Sequence, residues 1–262
     1  MVISLRHTHI VFFDLGNTLL YFNADWPQVF LQAQEGVWEA LVQSGVHLER
    51  QTFLHTLRQA LKAYYQKRET DFIEQTTTYV LTTVLKEQGY PHLPDAVIQQ
   101  ALRRMYATTQ AYWQVDAQAH EVLHNLKSRG FHLGLISNAA HDEDVQTLVD
   151  KHALREYFDV ILTSAAAGIR KPNPHIFTLA LKHWGCPPTH AVMVGDTLGA
   201  DILGAHNAGM PAIWVTRYAD RPSNHAHIDT IIPEASVEEL RALLPLLPAP
   251  NSHASPGDFI HT

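Results

Sequence analysis

The chain has 262 residues, 46% hydrophobic and 17% charged, and its 19 Lys and Arg against 26 Asp and Glu give a net charge of −7. That balance excludes a largely disordered chain, and with no basic excess or basic stripe it argues against a nucleic-acid partner. The one cysteine, Cys186, can form neither an internal disulfide nor a cysteine-based zinc site, as suits a reducing compartment.

The length is about 1.7 times a ~150-residue domain, so a main domain with a smaller companion is expected. The longest apolar runs, such as residues 10–13, fall far short of the ~20 residues that span a bilayer. Arg6, His7 and His9 precede only four apolar residues, unlike a signal peptide. A cytoplasmic protein without a membrane partner is expected.

In chain order, residues 9–13 read as an apolar strand ending at Asp14, with Gly16 and Asn17 supplying a turn. Helical signals then follow one another. Asp25 and Pro27 open a helix that Gly45 closes, and Phe53, Leu57, Leu61 and Tyr64 make a stripe at helical spacing. Phe72, Thr76, Tyr79, Val80 and Val84 make another before Gly89. Pro94 and Asp95 open a fourth, with Val97, Ile98, Ala101, Leu102 and Met105 on one side. Four such helices predict a small bundle.

From about residue 115 strand and helix alternate. A helix carrying Val122, Leu123 and Leu126 leads through Gly130 into a strand at 131–136. Further strands read at 160–163, 191–194 and 212–215, with helices at 174–184 and 201–208 each closed by a glycine. Ser236 and Glu239 read as a capping box for a last helix. The alternation predicts an α/β fold, a Rossmann-like parallel sheet with helices on both faces, carrying the bundle as an inserted cap. The expected division is a core of 1–20 and 112–245, a helical cap of 21–111 and a mobile tail of 246–262. The cap follows the first strand at its carboxyl end, where such sheets bind ligands, so it is placed to act as a lid.

Chemistry-bearing residues gather at strand ends. Asp14 ends the first strand with Thr18 beyond the turn; Asp196 ends a later one with Asp201 near the next helix start. Such carboxylates suit a nucleophile or Mg²⁺, which takes oxygen ligands. Residues 136–138 offer the Ser137 hydroxyl and backbone N–H groups to an anion, and Lys171 could neutralise a phosphoryl oxygen. Each segment alone has a plain structural explanation: a turn Asp at Asp14, a helix cap at Asp201, a solvated cation at Lys171.

Together and in this order they resemble the haloacid dehalogenase superfamily, in its phosphatase-like branch with a helical cap after the first motif. The matching segments are Phe13-Asp14-Leu15-Gly16-Asn17-Thr18, Leu135-Ile136-Ser137-Asn138, Arg170-Lys171-Pro172-Asn173-Pro174 and Gly195-Asp196 through Asp201. The resemblance implies that Asp14 attacks phosphorus and forms an aspartyl-phosphate. It implies that Asp14, Asp196 and the Gly16 carbonyl hold Mg²⁺, with Asp201 orienting Asp196 or metal-bound water. It assigns Thr18, Ser137, the Asn138 amide and Lys171 to the phosphoryl oxygens, with a small phosphorylated metabolite as substrate in a monomer or homodimer.

One position departs from the pattern. Where phosphatases of this family usually carry a second Asp, two residues after the nucleophile, this chain has Gly16. General acid–base catalysis is typically worth ~10²–10⁴-fold. Three readings stay open: a Mg²⁺-dependent phosphatase of esters with good leaving groups, a haloacid dehalogenase, and a non-enzymatic or very slow phosphate-binding homologue. Asp196 and Asp201 weigh against the dehalogenase, which dispenses with metal.

The cap entrance (Tyr21, Phe22, Asn23, Asp25, Trp26) and exit (Tyr112, Trp113) supply either substrate contacts or hinge packing. Histidine is abundant, at 18 residues, and His120-Glu121-Val122-Leu123-His124 spells a zinc-protease HExxH. At ~100° per residue, Ala119, Val122, Leu123 and Leu126 define the buried face of that helix and the two histidines point away from it. A surface role is expected for them.

Overall fold

Ile10, Val11, Phe12 and Phe13 are fully buried and form the central strand β1 (Ile10–Phe13). A strand so apolar on both faces needs cover on both, and the computed structural model, which describes residues 5–250, supplies it. Val11 and Phe13 enter one hydrophobic cluster and Ile10 and Phe12 another, as strand alternation requires.

The remaining strands are β2 (Leu20–Phe22), β3 (Trp113–Val115), β4 (His132–Ser137), β5 (Val160–Thr163), β6 (Ala191–Gly195), β7 (Ala212–Val215) and β8 (Ala235–Val237). Six of them make one parallel sheet in the order β5-β4-β1-β6-β7-β8. In this register Phe13 lies beside Leu135 and Val194, so β1, β4 and β6 end at one rim.

Four long helices separate β2 from β3: α1 (Trp26–Gln43), α2 (Arg50–Asp71), α3 (Thr77–Glu87) and α4 (Asp95–Gln110). Pro27 sits in the first turn of α1, and the Glu49 carboxylate caps α2 by accepting from the backbone N–H groups of Gln51 and Thr52. Their apolar faces form a cluster of their own around Leu41, Phe53, Leu57, Leu81 and Leu102. Around the sheet lie α5 (Ala119–Ser128), α6 (Asp142–Lys151), α7 (Ser164–Ala167), α8 (Pro174–Leu181), α9 (Leu203–Asn207) and α10 (Pro222–His225).

Several local expectations need correction. Phe72 does not join the third stripe; it ends α2 in a left-handed conformation (φ 53°), Thr76 caps α3, and Tyr79 is exposed. Ser236 and Glu239 make no capping box. Ala235–Val237 instead adds β8 to the sheet, and Glu239 makes no side-chain cap bond. The helix expected at 201–208 begins earlier, with a π-helical turn at Leu198–Ile202. Unforeseen were α6, whose first turn carries Asp142, Glu143 and Asp144, and the antiparallel ribbon of β2 with β3. Of the tail expected at 246–262, Leu247 is buried, and residues 251–262 lie outside the described residues.

Candidate active site

Asp14 leaves β1 with its backbone N–H donating to Val194 O at 2.9 Å, so the strand register fixes its position. The buried Lys171 ammonium donates to Asp14 Oδ1 (2.7 Å) and the Ile136 carbonyl (2.6 Å), and it pairs with Asp201 Oδ1 at 2.7 Å. The ammonium is thus flanked by two buried carboxylates. Asn138 locks the Lys171 loop against β4: its Nδ2 donates to Lys171 O and its Oδ1 accepts from Lys171 N, both at 2.9 Å.

Asp14, Asp196 and Asp201 are all buried, and each offers an oxygen within 4.8 Å of the others. Asp201 accepts from the Thr197 backbone N–H at 2.9 Å. Its carboxyl also fixes the glycine at 195, where a Cβ would fall 2.4 Å from it. The Asp196 carbonyl accepts from Trp214 Nε1 (2.9 Å) and Asn224 Nδ2 (2.8 Å), while Arg221 Nη2 pairs with its Oδ2. Burial pushes the Asp14 carboxyl above the usual carboxylate range, with Lys171 opposing and Asp201 adding to the shift. Asp196 is raised by burial and by the Asp14 and Asp201 charges, against Arg221 and Lys171. For Lys171 burial works downward, but Asp14 and Asp201 outweigh it and hold the ammonium charged.

Ser137 and Asn138 share with Asp14, Gly16, Lys171, Asp196 and Asp201 the wall of one cavity of about 750 Å³. Thr18 departs from expectation. It is buried, its Oγ1 has no hydrogen-bond partner, and it is not among the residues lining that cavity. Spacing alone set Thr18 near the turn but not the direction of its side chain.

The same cavity is walled by Tyr65, Arg68, Tyr106, Asp144, Arg170 and Arg221, none of which the sequence singled out for a role. Arg170 adjoins Lys171 in the chain, a signal that was there to be used; the others come from distant segments. Of the entrance and exit aromatics, Trp26 and Trp113 reach the cavity. Phe22 packs edge-on against both, with ring centroids at 4.7 and 5.3 Å, and Tyr21 stacks on Tyr218 at 5.1 Å. Asn23 is tied by its N–H to the Tyr112 carbonyl at 2.9 Å, so this hinge is largely packing.

The HExxH segment lies on the outer side of α5. His120 Nδ1 is 3.2 Å from the Tyr157 hydroxyl, Glu121 pairs with Arg241, and His124 is exposed. Cys186 is half-buried, and burial pushes its thiol up to about 11, away from nucleophilic use.

A parallel α/β sheet whose central strand ends present three buried carboxylates and a buried lysine defines a hydrolase-type site. Residues 8–209 match the haloacid dehalogenase-like hydrolase family, and the chain belongs to it. It is 30% identical over 205 residues to the glyceraldehyde 3-phosphate phosphatase of Methanothermobacter thermautotrophicus, covering 78% of this chain and 84% of that protein. In fold it is similar to the 2-haloacid dehalogenase of Pseudomonas syringae (TM-score 0.65, 23% identity, 92% and 98% of the two chains). A HAD phosphatase from Thermococcus onnurineus is likewise similar (TM-score 0.61, 22% identity, 92% and 99% of the two chains). The chain is thus a phosphatase-like enzyme of this hydrolase family. Among the described residues no helix is long and apolar enough to cross a membrane.

Proposed function

We propose that the protein is a Mg²⁺-dependent phosphatase that hydrolyses a small phosphorylated metabolite through an aspartyl-phosphate on Asp14. The observation that carries this reading is the buried Lys171 held at 2.7 Å from both Asp14 and Asp201, beside Asp196. The relatives named as phosphatases support it.

The donor set fits the metal. It offers oxygen only, and three buried carboxylates face two cations, Lys171 and Arg221; burial first, and then the neighbouring carboxylates, push Asp14 and Asp196 up. Asp14, Asp196 and the Gly16 carbonyl would hold Mg²⁺, with Asp201 beside them. Bound there, it would supply positive charge toward the phosphoryl oxygens.

The chain's own groups do the rest. An Asp14 oxygen bonds to phosphorus as the bond from phosphorus to the ester oxygen breaks. Water, with no side chain at Gly16 to do so, protonates the departing alkoxide. A second water then attacks phosphorus as its bond to the Asp14 oxygen breaks, passing its proton to the hydroxide left by the first and freeing inorganic phosphate and the Asp14 carboxylate. Lys171 and Ser137 bind phosphoryl oxygens, and Asn138 holds the Lys171 loop. The core at 1–20 and 112–245 would carry the reaction while the cap at 21–111 excludes water. We read the enzyme as cytoplasmic, a monomer or homodimer; its single cysteine supports the first.

Turnover of p-nitrophenyl phosphate that requires Mg²⁺, stops with EDTA and is lost in Asp14→Asn is expected. No metal-dependent turnover, or turnover indifferent to Asp14, overturns the reading. Gly16 favours one rival, a binding protein without catalysis, for which Asp14→Asn would leave phosphate-ester binding intact and no ester would turn over.

A further inference from the structure

Two guanidinium groups wall the same cavity as Asp14 and Lys171, and both carry buried donors with no hydrogen-bond partner: Arg68 Nε on α2, and Nη1 of Arg170, whose side chain is 9% exposed. The Arg68 guanidinium carbon sits over the Tyr65 ring, 4.3 Å from its centroid, a cation–π contact that holds the side chain against α2. Arg170 is held by its backbone, whose N–H donates to Phe72 O at 3.0 Å, and it immediately precedes Lys171.

Two carboxylates lie near them, and neither spends these donors. Glu74 is buried and gives its oxygens to Tyr64 and, at 2.7 Å, to Ser164; the guanidinium nitrogens stand off at 3.4 and 3.8 Å. Glu69 is different. Its side chain is 65% exposed, it lines the same cavity, and its single Oε1 atom lies 3.5 Å from both Arg68 Nε and Arg170 Nη2. A carboxylate oxygen therefore already sits between the two forks, loosely held on a side chain free to swing into solvent.

We propose that Arg68 and Arg170 form a carboxylate subsite beside the phosphoryl site, that Glu69 holds its place in the free enzyme, and that the substrate is a small phosphate ester bearing a carboxylate. This rests on the phosphatase reading for its phosphoryl half. Planar guanidinium groups favour a carboxylate, which can accept from both at once. Replacing the intramolecular carboxylate by one on the substrate leaves no guanidinium unneutralised, and Glu69 regains full hydration.

The test compares two ligands that differ at one carbon, 3-phosphoglycerate with a carboxylate and glycerol 3-phosphate with a hydroxymethyl group. Calorimetric titration of the full-length Asp14→Asn protein with each, in Mg²⁺, is expected to show 3-phosphoglycerate binding at least about tenfold tighter, the order of a charged hydrogen bond. Adding Arg68→Met should erase that preference. Adding the exposed Glu69→Gln should widen it, since the competing carboxylate is gone. A purely structural role for these arginines, tying helices to the sheet, would change stability without moving the ratio. Equal affinities in the parent, a preference that survives Arg68→Met, or one that shrinks in Glu69→Gln overturns the proposal. Wild-type protein that turns over no ester, with the binding preference intact, would instead refute the phosphatase reading and leave the subsite supported.

Discussion

Trp113 lies over Gly16: a Cβ built on Gly16 would stand 3.3 Å from Cη2 of the indole. The space where the family's usual acid would begin is thus bordered by an aromatic ring from the exit of the helical insert. That ring is itself braced by Phe22 and Trp26, at 5.3 and 6.4 Å between centroids. A side chain at this position would press on the indole. Gly16→Asp alone is therefore expected to give little gain on an alkyl phosphate, because the indole must shift by a few tenths of an ångström. Gly16→Asp combined with Trp113→Leu should speed alkyl phosphate hydrolysis more than p-nitrophenyl phosphate hydrolysis, whose leaving group needs no proton. Parallel kcat/KM measurements on the two esters decide it; equal changes on both would mean that the rate is not limited by proton transfer.

Parallel pairing brings the ends of β1 and β6 to one rim, so the meeting of Asp14 and Asp196 was legible whatever their separation in the chain. Lys171, which follows α7, and Asp201, in a helical turn, were joined to them by the order of the motifs that carry the resemblance. The arginine pair was not legible. Arg68 and Arg170 meet because residues 72–74 pair with the 168–170 loop, through an Ile73–Ile169 bridge and the Glu74 N–H to Gly168 carbonyl bond. No local periodicity encodes a bridge of two residues across about a hundred positions of chain. The three-residue ribbon of β2 and β3 escaped for a similar reason, being too short to show alternation. Ser236 and Glu239 satisfied a capping pattern, yet pairing of Val237 with Val215 completes the sheet edge and takes precedence.

Asp144 gives a pH dependence with a definite sign. It borders the cavity and accepts from Gln110 Nε2 at 2.8 Å, and burial pushes its carboxyl up to about 7. The folded state therefore holds a proton that the unfolded chain releases near its ordinary value of 3.8. Between those two values the native state binds more protons, so this group's contribution to stability falls as pH rises and is lowest above 7. Asp144→Asn mimics the protonated form and keeps an acceptor for Gln110. It should raise Tm at pH 8 and leave it nearly unchanged at pH 4, with each kcal/mol worth about 2–4 °C in a chain of this size. A Tm gain independent of pH would place the effect elsewhere than in ionisation.

Removing Lys171 should cost both activity and stability. Its ammonium is the shared partner of Asp14 and Asp201 in a buried setting, and breaking such a pair from one side typically costs ~3–5 kcal/mol. Lys171→Met is therefore expected to lower Tm by roughly 6–20 °C at neutral pH. The loss should be smaller at pH 5, where Asp14, already raised, is neutralised by a proton instead. Replacing Lys171 by Arg should recover part of the stability but little turnover, since the longer fork cannot meet Asp14, Asp201 and the Ile136 carbonyl together. Thermal melts at pH 5 and 8 with matched rate assays separate the two effects.

Metal binding should be visible without catalysis. A ligand that binds only the folded state at a hundred times its Kd adds about 2.7 kcal/mol, so saturating Mg²⁺ should raise Tm by roughly 5–10 °C. Because burial and mutual repulsion push Asp14 and Asp196 up, a cation must displace protons from them, and affinity should fall as pH drops from 8 to 6. Arg221 faces Asp196 from α10's leading edge and competes for the same carboxylate. Arg221→Gln should therefore bind Mg²⁺ more tightly and respond to it at lower concentration, while Asp196→Asn should lose the thermal shift. Melts across a Mg²⁺ series at each pH test all three; a shift of the same size in Asp196→Asn would mean that the cation binds somewhere other than this cluster.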